Sequence, residues 1–182
     1  MDTFLNNLDK DKVNSLLQET EENVKYFEET CNKIIKEYSE PLDNLMLDLY
    51  NECIKDINKA DIRLLERYYL ELSNMIYFMV ERLEKLGVYV DMSDSAAKEI
   101  YSKHYINLSS NKDVAGKAKS TVEEMKAQSN MASQYNSVVA SIYNRAYKVV
   151  KGKISSGQDL MNCLRKIISS RNADSQTMLM MN

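Results

Sequence analysis

A seam of apolar side chains in the middle of the chain constrains the fold more than any other feature of the sequence. Its members alternate spacings of four and three residues, at Leu65, Tyr69, Leu72, Ile76, Met79, Leu83 and Leu86. That spacing places them on one stripe of an α-helix and is typical of helices that pack side by side. A second stripe widens the apolar face and consists of Leu64, Tyr68, Met75 and Phe78. A helix with so wide an apolar face needs more than one neighbour, so we expect it to lie centrally in a bundle.

The rest of the chain holds few residues that end a helix. There are four glycines and one proline among 182 residues. All-β and doubly wound α/β domains need turn-forming residues about every dozen positions, whereas long helices need few. The sequence therefore predicts an all-α protein, an elongated bundle of coiled-coil-like hairpins with a long C-terminal helix.

The single proline is expected to divide the acidic first part of the chain. Residues 12–38 carry a heptad stripe with glutamates on the other faces, which predicts a first helix. Pro41 should end that helix, because the residue before a proline avoids helical geometry, and should open a second one. Residues 58–61 are compatible both with a break after the second helix and with a continuous helix.

Gly87 is expected to end the central helix, because glycine is the usual residue just beyond a helix C-terminus. Residues 88–90 would then form an extended link. Ser93 or Ser95 would cap a shorter helix that ends near Leu108. Residues 1–108 together would form an acidic helical bundle.

A polar segment, residues 109–120, follows this bundle. It is rich in Ser, Asn, Lys and small residues, so we expect a mobile basic linker. Thr121, with Glu124 three residues later, forms a capping box that opens a long basic helix over residues 121–171. The last residues, 172–182, are expected to be a flexible tail.

No motif in the sequence supports catalysis or a cofactor. The glycine loops that hold phosphates, the zinc-protease helix motif, the Cys-x-x-Cys pair and the nucleophile elbow are all absent. His104 is the single histidine, and one histidine cannot supply the several ligands that a histidine metal site needs. We therefore expect a protein that is not an enzyme and that needs neither metal nor cofactor.

Cysteine use and hydropathy favour the cytoplasm. Cys31, Cys53 and Cys163 each lie among apolar residues, which predicts reduced thiols in the core. The N-terminus does not resemble a signal peptide, and no apolar run reaches the length needed to cross a membrane.

The two halves of the chain carry opposite charge. Residues 1–100 hold 12 Lys and Arg against 22 Asp and Glu, and residues 101–182 hold 12 against 5. The net charge is therefore −10 in the first part and +7 in the second. Such an asymmetry indicates either contact between the halves or a basic face for an acidic partner.

The long C-terminal helix lacks acidic residues over most of its length. From residue 126 to residue 158 there are 33 residues without one Asp or Glu. At 100° per residue, apolar side chains occupy one arc of this helix and Lys153 falls among them. The opposite arc, which we call the basic face, consists of Lys126, Asn130, Ser133, Gln134, Ser137, Ser141, Asn144, Arg145, Lys148 and Lys151. Cations with neutral hydrogen-bonding side chains and no carboxylates suit the phosphates of a nucleic acid.

Three interpretations of the basic face remain open. It packs against the acidic half, within one chain or between subunits; it binds a nucleic acid; or it binds another protein. Exposed ion pairs stabilise a protein little, so a face kept free of acids over nine turns exceeds what stability requires.

A nucleic-acid target would be a flexible single strand. The sequence contains no zinc ligands, helix-turn-helix or RNA-recognition signature, so sequence-specific binding is not indicated. Stacking surfaces for unpaired bases are available among five tyrosines, although tyrosines at helical spacing are more often core residues. These tyrosines are Tyr101, Tyr105, Tyr135, Tyr143 and Tyr147. Several copies of the chain around one strand would strengthen weak binding by each copy, which favours a homo-oligomer.

The order of these parts resembles a known family. The sequence AKEIYSKHY at residues 97–105 is followed by the basic break at 111–119 and by LRKIISSR at 164–171, the end of the long helix. Over residues 61–171 this layout resembles the UvsY-type recombination mediators of bacteriophages, and the first 55 residues are additional to that pattern.

The resemblance implies a small, all-helical, oligomeric protein without enzymatic activity. Such mediators bind single-stranded DNA and help to load a RecA-like recombinase onto strands covered by single-strand binding protein. Lys98 and Lys103 match the basic positions of the family's short helix.

Together these observations predict a single-stranded-DNA-binding accessory protein of phage recombination or replication, located in the host cytoplasm. The residues predicted to hold phosphates are Lys98, Lys103, Lys117, Lys119, Lys126, Arg145, Lys148 and Lys151. The alternative is a helical structural or interaction protein, such as a virion component, an assembly chaperone or an anti-defence protein.

Overall fold

Continuous apolar periodicity and the scarcity of turn residues produce three long helices. The computed structural model describes the backbone of residues 10–110 and 121–180 and the side chains of residues 21–110 and 121–174. Within the described backbone the chain forms no strand, so the predicted all-α class is confirmed. The helices are α1 (Lys10–Leu49), a π-helix that continues it (Tyr50–Ile54), α2 (Ile62–Ser110) and α3 (Val122–Met180).

One hydrophobic core joins the three helices. In the predicted seam of α2, Tyr69 is half-buried and the other six residues are buried. α2 packs against both α1 and α3, and its longest contact is with α3. The buried partners include Leu42 and Leu49 on α1, and Ala146, Val150 and Leu164 on α3. The predicted acidic bundle and basic helix therefore share one core.

α1 runs through Pro41, so the helix end predicted there is wrong. A proline inside a helix has no N–H to donate to the carbonyl four residues earlier, which here belongs to Glu37. Arg82 Nη1, on α2, donates to that Glu37 carbonyl at 3.3 Å. The neighbouring helix thus satisfies the acceptor that the proline leaves free, which lowers the cost of continuing the helix.

α2 runs through Gly87 to Ser110, so the end at Gly87, the extended link and the new helix start are also wrong. A Cβ on Gly87 would lie 3.5 Å from a ring carbon of Tyr147 on α3, an ordinary contact distance. The tyrosine ring thus packs over the glycine within a continuous helix. Ser93 Oγ donates to the carbonyl of Tyr89 at 2.7 Å, so this serine bonds to its own helix instead of capping one.

The π-helix and a turn at residues 55–61 separate α1 from α2, so the break is the correct alternative. Arg171, near the end of α3, ties this turn to the bundle. Its Nη1 donates to the carbonyl of Ala60 at 2.5 Å, and its Nη2 donates to the carbonyl of Ile57. These bonds give partners to two carbonyls of the turn that would otherwise depend on solvent.

The predicted capping box at the start of α3 is confirmed. The backbone N–H of Thr121 donates to Glu124 Oε2 at 2.8 Å, and the N–H of Glu124 donates to Thr121 Oγ1 at 3.2 Å. α3 then continues through both of its glycines to Met180, beyond the end predicted at residue 171. A Cβ on Gly157 would lie 3.6 Å from Cδ1 of Leu42 and from Cδ1 of Ile76, so all three helices meet there.

Candidate nucleic-acid interface

The basic face of α3 is exposed to solvent. Of its ten members only Ser133 is buried. α3 turns another side towards α1 and α2, and the buried residues there include Ile142, Ala146 and Val150. No described side chain of the acidic half covers the face, so within the described residues it is not used for internal neutralisation.

Three cations lie close together on this face. They are Arg145, Lys148 and Lys151, and Lys151 lies six positions after Arg145, about 9 Å along the axis at 1.5 Å per residue. Lys126 lies about 29 Å from Arg145 along the axis by the same measure. Among the side chains that the structure describes, none of these four cations forms an ion pair. Their charge is therefore available to an anion from solvent.

The two predicted lysines on α2, unlike the cations of the basic face, form ion pairs. Lys98 Nζ lies 2.5 Å from Asp94 Oδ2, and Lys103 Nζ lies 2.5 Å from Glu99 Oε1. The hydrogen bond to Asp94 raises the pKa of the Lys98 ammonium, and the hydrogen bond from Lys103 lowers the pKa of the Glu99 carboxyl. Both pairs are exposed. Each lysine is thus offset by a carboxylate one turn earlier.

The other two predicted lysines, Lys117 and Lys119, lie outside the described residues. The sequence-based prediction that they hold phosphates stays a prediction.

Lys153 connects α3 to α1. Its Nζ donates to Ser39 Oγ at 2.9 Å and lies 2.5 Å from Asp43 Oδ2. This explains a lysine in the apolar arc of α3, since its side chain reaches a polar pair on the neighbouring helix. Within residues 126–158, the cations of α3 therefore comprise the exposed group on the basic face and Lys153, which has partners on α1.

Four serines on α3 use their hydroxyl groups within the helix. They follow one another at intervals of four residues, and each donates to a carbonyl of the preceding turn at 2.8–3.2 Å. They are Ser129, Ser133, Ser137 and Ser141. Three belong to the basic face, so the sequence overestimates the donors that they offer to a ligand. The amides of Asn130, Gln134 and Asn144 and the cations remain as the donors of this face.

The tyrosines proposed as stacking surfaces differ in exposure. Tyr143 stacks on Tyr89 of α2 with ring centroids 5.5 Å apart, and Tyr147 packs against the core. Tyr101 and Tyr105 stack on each other at 6.2 Å. Tyr135 is 78% exposed. Of the five, Tyr135 offers the most open ring.

The cysteines are only partly core residues. Cys31 and Cys53 are buried as predicted, and burial raises the pKa of both thiols. Cys163 is exposed on α3, so its prediction as a core residue is wrong.

In the described residues, no group of three or more His, Cys, Asp and Glu side chains has the arrangement of a metal site. Nor does the described part of any helix combine the length and the hydropathy that a membrane span requires.

Comparisons with known proteins add no family to this description. No protein-family model matches the chain, and no significant match was found among curated proteins or among solved structures.

Proposed function

We propose that the protein is a non-enzymatic, oligomeric, single-stranded-DNA-binding accessory protein of the recombination-mediator type. It would act in phage recombination or replication, in the host cytoplasm. A RecA-like recombinase and single-strand binding protein are its proposed protein partners. The observation that carries the proposal is the exposed, acid-free basic face of α3, with Arg145, Lys148 and Lys151 unpaired among the described residues.

The chemistry of the face suits a phosphodiester backbone. Three cations within about 9 Å along one helix are offered to solvent, and the neutral amides beside them donate hydrogen bonds without adding charge. No carboxylate from residue 126 to residue 158 repels a polyanion. Contacts of this type fix a strand in place and carry no base sequence, which agrees with the lack of a sequence-specific DNA-binding motif.

The proposal is tested by fluorescence anisotropy with a labelled single-stranded oligonucleotide across a series of salt concentrations. For single strands, log K falls with log salt by about 0.7 per phosphate contact, so three contacts predict a slope of about −2 per bound chain. Titration of the same sample with a duplex of the same length reports strand preference. Light scattering on that sample gives the mass in solution and so the number of subunits. Absence of binding at low salt would contradict the proposal.

A second candidate function is favoured by the exposed apolar side chains of α2. Leu70, Tyr77 and Phe78 are 62%, 74% and 59% exposed, and the rings of Tyr77 and Phe78 pack edge to face. Exposed apolar groups that lie together often belong to protein–protein interfaces. A protein of stable, defined oligomeric mass with no affinity for oligonucleotides would support an interaction or structural role.

A further inference from the structure

An open groove lies between the N-terminal part of α1 and α3. Cys31 is buried, and its Sγ contacts the carbonyl of Ile142 at 3.9 Å. On the N-terminal side of this contact the two helices do not close against each other. Val24 and Tyr26 on α1 are 52% and 70% exposed. The groove has a volume of about 850 Å³.

Aromatic and apolar side chains form the walls of this groove. Tyr26 and Phe27 lie on the α1 side, and Met131, Tyr135 and Val138 lie on the α3 side. Met131 and Tyr135 are 74% and 78% exposed. A tyrosine ring left this open is accessible to a planar group that enters the groove.

The groove borders the basic face. Gln134 and Arg145 belong to that face and also line the groove, so cationic and amide groups lie along its α3 side. On the α1 side, Glu28 is the charged residue among the described side chains that line the groove. A polyanion would therefore be attracted along α3 and repelled from α1, and a strand on the basic face would have its bases free to turn into the groove.

We propose that this groove is a binding site for unpaired nucleobases, with Tyr135 and Tyr26 as stacking platforms. The proposal rests on the proposed function, because it adds a base-binding site to the phosphate contacts of α3. Single-strand-binding proteins in general combine a positively charged track with aromatic side chains on which bases stack, and such stacking accepts every base. Arg145 attracts a negatively charged nucleic acid and would not attract an apolar helix. The charge of the α3 side therefore favours the bases of a strand as the occupant of the groove.

The test compares two strands of equal length and charge. One is a labelled oligothymidylate, and the other is an abasic oligonucleotide that retains every phosphate and lacks the bases. Tyr135→Ala is expected to weaken binding of the first strand about tenfold and to leave binding of the abasic strand unchanged. The salt slope should stay the same for both strands, because no cation is removed. Tyr26→Ala should act in the same direction.

Two variants serve as controls. Tyr135→Phe keeps the ring and should bind both strands as the original chain does. Tyr50→Ala removes another exposed tyrosine, 52%, from the π-helix away from the groove, and should also have no effect. Light scattering on each variant reports whether the oligomeric mass is retained.

The outcomes separate this proposal from the function on which it rests. If Tyr135→Ala binds both strands like the original chain, the groove holds no bases and the phosphate-binding function stands. If the original chain binds neither strand, both proposals fail. If Tyr135→Ala lowers the oligomeric mass in solution and weakens binding of both strands equally, a second copy of the chain occupies the groove and the proposed base site is overturned.

Discussion

Two short stretches of the bundle carry similar numbers of lysines and arginines in opposite electrostatic states. At residues 98–103 of α2, both cations lie 2.5 Å from a carboxylate one helical turn earlier. At residues 145–151 of α3, three exposed cations have no acidic partner among the described residues. An acid four residues before a base is the favourable order for an intrahelical pair. The comparison teaches that the residues one turn away decide whether a surface cation is free for a ligand.

The largest expected effect comes from removing the free cations. We expect the triple variant Arg145→Gln, Lys148→Gln, Lys151→Gln to bind a single strand about 100-fold more weakly at 0.1 M salt, because each lost contact contributes about 0.7 in log K there. The salt slope should fall by about 2 in magnitude. Anisotropy titrations at several salt concentrations measure both quantities.

Two matched variants test whether position or total charge matters. Lys98→Gln with Lys103→Gln removes cations that already have carboxylate partners. Lys153→Gln removes one that Asp43 and Ser39 hold. Both should change affinity less than threefold. A loss from either that equals the loss in the triple variant would mean that net charge, and not the basic face, determines binding.

A smaller effect is expected from giving α3 the arrangement of α2. Asn144→Glu places a carboxylate four residues before Lys148, as Asp94 stands before Lys98. Intrahelical pairing and repulsion of phosphate should then weaken single-strand binding about tenfold, near the effect of losing one to two contacts. Asn144→Gln is the neutral control. Equal affinities of Asn144→Glu and Asn144→Gln would show that a carboxylate one turn earlier does not decide whether a cation is free for a ligand.

The smallest effect is expected from the reverse exchange on α2. Asp94→Asn with Glu99→Gln releases Lys98 and Lys103 from their carboxylates and keeps the side-chain shapes. The pairs are exposed and of the type that contributes little to stability, so the melting temperature should change by only a few degrees. Binding should strengthen severalfold, with a steeper salt slope, if these lysines lie beside the bound strand. Unchanged affinity would exclude Lys98 and Lys103 from the interface and leave α3 as the binding surface.

Local patterns predicted much of this molecule. The seam of α2, the capping box of Thr121 and Glu124, and the grouping of the cations of α3 on an acid-free face all follow from relations within one or two helical turns. A helix repeats every 3.6 residues, so the sequence alone determines which side chains share a face and which backbone groups a nearby side chain caps. The break after the π-helix was left open because residues 58–61 include neither glycine nor proline.

The tertiary structure decided what depends on a neighbouring helix. α1 continues through Pro41 with Arg82, 41 positions later in the chain, donating to the carbonyl that the proline leaves free. Lys153 is partnered because Asp43 of α1 lies beside it, and Val24 is exposed because α1 does not close against α3 there. The sequence alone thus determined an all-α chain and the composition of its helix faces, whereas packing determined where the helices end, which cations remain free and where the groove opens. The physical reason is distance along the chain: periodicity and caps act between near neighbours, while partners 45 or more positions apart meet only once the helices have packed.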